Sequence, residues 1–319
     1  MFTPQPVFES VEQIQACIQK RLREVLPKPD ENRLNHAMYT GVLAPGKRTR
    51  SVLMMLACKG LGGNPEDVLD LACAIEMVHT ASLFLDDMPC MDNAQLRRGL
   101  PAAHVNYGQD VAMLAAVALL TEALQLVASS GNLSAEVRSK LVVVLSQAVG
   151  SDGLAKGQYL DLHNSLYIRG EYDIAYVNEK KTCVLFCAAL DMAALACNAA
   201  SSSRASLQAA AVNIGQAFQL RDDLEDESTG PGKHAKDRNK DVGKSTLVAL
   251  LGHEAVHYRM QKHLHDAVYY LHKAIPHDNQ MVEFTLRAFG LPYREVELTT
   301  GSVESNNVHV HNMGRLVTG

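Results

Sequence analysis

Ala81-Ser-Leu-Phe-Leu-Asp-Asp-Met-Pro-Cys-Met-Asp92 is the stretch on which the fold turns. It closes an apolar helix expected over 65–88, with Asp86 and Asp87 on the last turn. Pro89 then breaks the helix, because its ring clashes with the preceding turn and it has no N–H to donate. Asp92 therefore returns from a loop rather than from the next helical turn. Crowded carboxylates repel one another, and apolar surroundings add a desolvation cost. A hard divalent cation relieves both, and magnesium binds through one or two carboxylates, several waters and substrate phosphates.

Outward from this stretch, helical periodicity dominates and strand-like alternation is nearly absent. Helices are expected at 8–26, 31–42, 47–61, 65–88, 109–129, 134–150, 173–200, 204–227, 245–274 and 278–289. Gly and Pro punctuate the joints, as at Pro27/Pro29, Gly60-Leu-Gly-Gly63, Gly99-Leu-Pro101 and Gly230-Pro-Gly232. The segments Val111–Leu120 and Cys183–Ala199 are apolar nearly all round, which predicts burial at the centre of a large bundle. No Pro/Ser-rich linker divides the 319 residues. One all-α domain over 1–298 is expected, followed by a polar, flexible tail over 299–319.

Composition narrows the function. A net charge of −5 without a long basic run argues against nucleic acid as a partner. The seven cysteines contain no CxxC pair and read as free thiols of a reducing compartment. Val111–Leu120, the longest apolar run, falls short of the roughly 20 residues that span a bilayer. The N-terminus lacks a basic segment followed by an apolar one. A soluble, cytoplasmic protein that does not span a membrane is expected.

A second carboxylate cluster, Asp222-Asp-Leu-Glu-Asp226, places Asp222 and Asp226 at i and i+4 on one helical face. Basic residues accompany the two clusters. Gly46-Lys-Arg-Thr-Arg50 opens a helix, where amides and dipole favour an anion. Arg97 and Arg98 follow the first cluster; Lys181-Thr182 lies in a later helix; Lys236, Lys240 and Lys244 trail the second. Two carboxylate clusters with this many cations point to a diphosphate held by several Mg²⁺. His253-Glu-Ala-Val-His257 matches the HExxH zinc pattern, but no third ligand follows it and it is set aside.

These segments, together with Glu76-Met-Val-His79, Leu96-Arg-Arg-Gly99, Gly157-Gln-Tyr-Leu-Asp161, Gly215-Gln-Ala-Phe-Gln-Leu-Arg-Asp-Asp223 and Gly243-Lys-Ser-Thr246, resemble the short-chain trans-prenyl diphosphate synthases, most closely bacterial geranylgeranyl diphosphate synthases. The resemblance covers about Leu34 to Gly252. It implies an isoprenoid-synthase-type helical bundle around a deep central cavity, and a homodimer. The substrates implied are isopentenyl diphosphate and the allylic dimethylallyl, geranyl and farnesyl diphosphates.

It also implies roles for single residues. Asp86 and Asp92 would bind two Mg²⁺ with Asp87 in support; Asp222, with Asp223 and Asp226 nearby, would hold a third. Arg97, Lys181, Thr182, Gln219, Lys236 and Lys244 would contact the allylic diphosphate. Lys47, Arg50, His79 and Arg98 would hold isopentenyl diphosphate. The small Ala81 and Ser82 leave room for a growing tail, and Met77, Val78 and Ile75 lie deeper as its floor, so a C20 product is expected, with C15 and C25 as the competitors. Departures from the family pattern are Ser51 for a usual Pro, Asn93 for a usual acid, Ala115-Ala-Val117 for a usual Gly-Asp, and Ala235 before Lys236.

Overall fold

Side chains that accept orphan backbone N–H groups set several helix starts. Ser10 accepts from Gln13, Asn32 from Leu34, Asn64 from Glu66 and Ser134 from Val137. The computed structural model describes residues 10–29, 32–163, 170–227 and 247–293. In chain order the helices are α1 (Val11–Val25), α2 (Arg33–Leu43), α3 (Thr49–Gly60), α4 (Leu69–Asp86, after a 3₁₀ turn at Pro65–Val68), α5 (Ala103–Tyr107), α6 (Gln109–Ala128) and α7 (Ala135–Val149). They continue as α8 (Leu154–His163), α9 (Glu171–Asn178), α10 (Val184–Ala196), α11 (Ser201–Glu227), α12 (Leu247–Leu251), α13 (His253–Ala274) and α14 (Gln280–Ala288). Among the described residues the strands amount to one two-residue antiparallel hairpin, Leu96–Arg97 with Leu100–Pro101. The all-α expectation holds.

The expected helix over 173–200 is three pieces in line. Between α9 and α10, Glu179–Cys183 forms a π-helical turn in which the Val184 N–H donates to the Glu179 carbonyl, five residues back. The expected 245–274 helix breaks at Gly252, whose φ of 81° is a left-handed conformation that glycine adopts without penalty. Two helices, α5 and α8, were not expected from periodicity.

At the centre, α4 packs along α6 and is flanked by α1, α2, α3 and α10. The helix α11 packs along α13 on one side, and along α10 and the π-helical turn on the other. Ser51 to Cys58 of α3 are all buried, as are Leu185, Phe186, Leu190 and Met192 of α10. A second, smaller apolar cluster joins Ile174, Leu220, Leu247, Val248 and Val256 where α9, α11, α12 and α13 meet. All seven cysteines are free thiols.

The central burial expected for Val111–Leu120 does not hold. The inner face of α6 is Ala112, Ala115, Ala116, Leu119 and Ala123, small enough for close approach to a neighbouring helix. Its other face leaves Met113, Leu114 and Val117 exposed at 46%, 58% and 60%. Among the described residues two helical stretches, Pro65–Asp86 and Gln109–Ala128, are long and apolar enough to cross a membrane. The apolar run counted from sequence alone was too short a measure of them. The first is 67% buried within the bundle over its most apolar window, and the second 33%.

Two glycines let helices approach backbone to backbone around the π-helical turn. A Cβ on Gly157 of α8 would lie 2.5 Å from the Lys181 nitrogen, and one on Gly215 of α11 would lie 2.6 Å from Cys183 Cα. The contacts are with backbone, so no rotamer change relieves them. Gly215→Ala is therefore expected to destabilise the fold by about 1–3 kcal/mol. Denaturant titration by far-UV circular dichroism measures this: a lowered midpoint with unchanged helical content at zero denaturant is the expected outcome.

Candidate active site

The carboxyl end of α4 turns sharply rather than continuing. Met91 N–H donates to Met88 O, Asn93 N–H to Met88 O and Ala94 N–H to Asp87 O. The Asp92 N–H donates to the Asp86 carbonyl at 2.9 Å, which brings the two aspartates back together. The left-handed Asn93 (φ 49°) and Arg98 (φ 54°) complete the reversal. Asp86 lies half-buried in the wall of the site. Burial, with Asp92 and Asp87 adding to it against Lys181 and Arg97, raises its pKa to about 6.

Asp87, expected in support of Asp86 and Asp92 at the metal site, is engaged by a cation of the protein itself. It is buried, and the Arg97 guanidinium occupies it: Nε donates to both carboxylate oxygens at 3.0 and 3.1 Å, and Nη2 to Oδ1. The pair fixes Arg97 beside Asp86 and Asp92, whose charges act on it.

Facing them is the π-helical turn. Lys181 Nζ donates to Asp161 of α8 at 2.8 Å. Burial works against its charge, but Asp86, Asp161 and Asp92 outweigh that and raise its pKa. Thr182 donates to Gln219 Oε1 at 2.9 Å, and Gln219 Nε2 donates to Asp223 at 2.8 Å. Asp223 is buried in this chain of hydrogen bonds, whereas Asp222 is half-exposed beside Arg221. Two adjacent residues, Lys181 and Thr182, thus bridge the first aspartate segment to the second. The side chain of Asp226, and Lys236 and Lys244 entirely, lie outside the described residues.

A third group is cationic. Burial pushes the Arg50 pKa down, and Glu76 and Asp222 partly restore it. Its guanidinium sits 4.3 Å over the Phe186 ring, and its buried Nε has no partner. Arg98 Nη1 donates to Pro45 O at 3.2 Å and closes against Gly46, where a Cβ would lie 2.8 Å away. Lys47 is exposed on the same loop. Burial, and then Arg50, Arg98, Arg97 and Arg48, hold the His79 pKa well below its usual value, so the ring is neutral at pH 7. Arg50 and Arg98 thus lie close enough to His79 to act on its charge, with Arg97 and Arg48 beyond them, while Lys47 is exposed on the loop before α3.

Around α4, His79 and Ser82 lie within about 40° of Asp86 at about 100° per residue, and Val78 about 80° away. Ala81 and Met77 lie about 140° and 180° away and are fully buried. Helical phase therefore puts Met77 and Ala81 on the side of α4 away from Asp86, and Ser82 and Val78 nearer to it. The Ser82 hydroxyl donates to His79 O at 2.9 Å.

Sequence reasoning gave no role to Arg48, Glu76, Asp161 or Phe186. Glu76 set within the apolar stretch Leu71–Val78 was the available signal, since a buried carboxylate needs a cationic partner. His253, Glu254 and His257 are exposed at the start of α13, and no metal-holding group among the described residues includes them.

The donor set suits magnesium. Among the described residues no three His, Cys, Asp or Glu side chains form a ready-made cage. Instead the half-buried Asp86, with Asp92 beside it, carries charge at a cost that a divalent ion would offset. Magnesium characteristically takes one or two carboxylates and leaves its other positions to water and phosphate.

Residues 31–282 match the family model described as polyprenyl synthetase. The geranylgeranyl diphosphate synthase of Pantoea ananas is 46% identical over 279 residues, covering 86% of this chain and 91% of that protein. That of Pseudescherichia vulneris is 45% identical over 283 residues, covering 88% and 91%. An FPP/GFPP synthase structure from Zymomonas mobilis aligns with a TM-score of 0.76 at 30% identity, over 88% of this chain and 96% of its own. A Helicobacter pylori geranyltransferase solved with magnesium and isoprenyl diphosphate aligns with a TM-score of 0.78 at 27% identity, over 91% and 99%. The chain belongs to the polyprenyl synthetase family. It is a prenyltransferase of the kind that condenses isopentenyl diphosphate with allylic diphosphates, and the family is generally magnesium-dependent.

The raised Asp86 pKa has a signed consequence. The folded chain holds this proton more tightly than the unfolded one, so the group favours folding at low pH. That contribution is lost as pH rises through about 6. Asp86→Asn is expected to stabilise the metal-free protein at pH 7.5 by on the order of 1 kcal/mol after solvent screening. It should also abolish the stabilisation given by Mg²⁺ with inorganic pyrophosphate. Thermal melts of both proteins with and without these additions measure the two effects.

Proposed function

We propose that the protein adds isopentenyl diphosphate successively to dimethylallyl, geranyl and farnesyl diphosphates and releases geranylgeranyl diphosphate. The observation that supports this reading is two groups of cations along the end of α4: Lys181 and Arg97 act on Asp86, and Arg50 and Arg98 act on His79 two turns earlier. We read the first, with Thr182 and Gln219, as the allylic diphosphate site, and the second, with Lys47, as the isopentenyl diphosphate site. Two cationic sites suit two diphosphates, and a cyclase acting on one substrate has no use for the second. The Pantoea and Pseudescherichia relatives, named as geranylgeranyl diphosphate synthases, support the C20 product.

In this reading Asp86 and Asp92 would hold Mg²⁺, and Asp222 with Asp226 would hold a third ion; bound there, the ions would supply positive charge where pyrophosphate departs. Lys181 and Arg97 are preorganised by Asp161 and Asp87 to hydrogen-bond the same oxygens, where charge develops as the C–O bond breaks. Lys47, Arg50 and Arg98 orient isopentenyl diphosphate so that its double bond faces the allylic carbon. Neutral His79 donates a hydrogen bond to it. The new C–C bond leaves a cation that loses a proton to pyrophosphate. Apolar walls exclude the water that would quench either cation.

The exposed Met113, Leu114 and Val117 support a homodimer formed through α6. A second copy, rather than a bilayer, then covers that face in a cytoplasmic enzyme.

Incubation of each allylic diphosphate with isopentenyl diphosphate, followed by dephosphorylation and chromatography, should give mainly geranylgeraniol. A dominant C15 or C25 alcohol overturns the product assignment, and hydrocarbon made from an allylic diphosphate alone overturns the two-substrate reading. Ser82→Phe, on the face of Asp86, should shift the product toward C15. Asp86→Ala should lower turnover by about 10²–10³-fold. In sedimentation velocity the wild type should run as a dimer and Val117→Glu as a monomer.

A further inference from the structure

Beyond the groups that face substrate, a buried network lies directly behind the Gly46–Arg50 loop. Arg48 is the residue before α3 and has a φ of 51°. A long side chain in that left-handed region is strained and persists only where its surroundings hold it. Here they do. Arg48 Nη1 donates to Glu76 Oε2 at 3.0 Å. Nη2 donates to Gln19 Oε1 at 3.1 Å, Val42 O at 2.6 Å and Ala44 O at 3.0 Å. Both side chains of the Arg48–Glu76 pair are 5% exposed. The other oxygen of Glu76 accepts from the fully buried Ser51 hydroxyl at 2.5 Å, which also lies 3.0 Å from Ala72 O.

We propose that Arg48, Glu76 and Ser51 are positioning residues that set the isopentenyl diphosphate subsite. The proposal rests on the reading of Lys47, Arg50, His79 and Arg98 given above. The left-handed Arg48 joins the loop to α3, so that exposed Lys47 lies just before it and Arg50 just after it, over Phe186. The guanidinium of Arg48 is engaged by Glu76, Gln19 and two carbonyls, and it acts through the loop rather than on substrate. Its anchor Glu76 belongs to α4, three residues before His79 and ten before Asp86. The network therefore indexes the phosphate loop to the helix that carries the metal-binding end. Buried ion pairs contribute little net stability compared with apolar replacements, and fixing one geometry is their better-attested use.

The test is the split between the two substrates. In Arg48→Met, which keeps bulk and removes the fork, KM for isopentenyl diphosphate should rise about 10- to 100-fold, the range of a 1.4–2.7 kcal/mol loss. KM for farnesyl diphosphate should stay within about twofold. Ser51→Ala removes one hydrogen bond and should raise the isopentenyl diphosphate KM about three- to tenfold. It carries the test should Arg48→Met not fold. Equal changes in both KM values, or none, in a folded variant overturn the proposal. Arg50→Ala serves as the control. If it leaves the isopentenyl diphosphate KM unchanged, the subsite reading fails and takes the proposal with it. If it raises that KM while Arg48→Met and Ser51→Ala do not, the positioning role alone fails.

Discussion

Charge held against apolar helices is the constraint to which the rest of this structure answers. The end of α4 carries Asp86 out of an apolar core, and a carboxylate so placed costs free energy until a cation faces it. Asp92 and Asp87 add to the cost, and cations answer it. Lys181 approaches from the π-helical turn, and Arg97 is locked in place by Asp87. The arginines around His79 extend the same cationic wall, leaving the imidazole neutral. A site built this way is electrostatically incomplete by itself, which suits it to accept metal ions and diphosphates together.

Much of this was legible in the chain. Pro89 predicts that Asp92 returns from a loop, and its amide does bond back to Asp86. The helical i, i+4 logic of Asp222 and Asp226 needed only the continuity of α11. Apolar periodicity located most helices to within two or three residues, because each is bounded by Gly, Pro or a capping side chain.

What was not legible has particular physical reasons. Asp87 and Asp86 are adjacent and chemically identical, and only the return of Arg97 across the hairpin assigns one to a guanidinium. Met77 looked like a neighbour of the tail by sequence distance, yet helical phase puts it behind the helix. The apolar character of α6 cannot say which neighbour covers it, since a bundle core and an outward face use the same residues. Gly157 and Gly215 read as turn or packing residues until their contact with the Lys181 and Cys183 backbone is seen.

The π-helical turn has a consequence for how this sequence can vary. A π turn holds one residue more than an α turn, and the residues after it are rotated by about 100° from where an unbroken helix would put them. Lys181 and Thr182 lie inside that turn, and Phe186 and Leu190 of the core follow it. Losing one residue would restore a regular helix but leave either the binding pair or the apolar face out of phase with its partners. Outside Lys181 and Thr182 the residue types here can change, but length cannot drift. Insertions and deletions in descendants of this sequence should therefore avoid 179–183 and collect in surface connections.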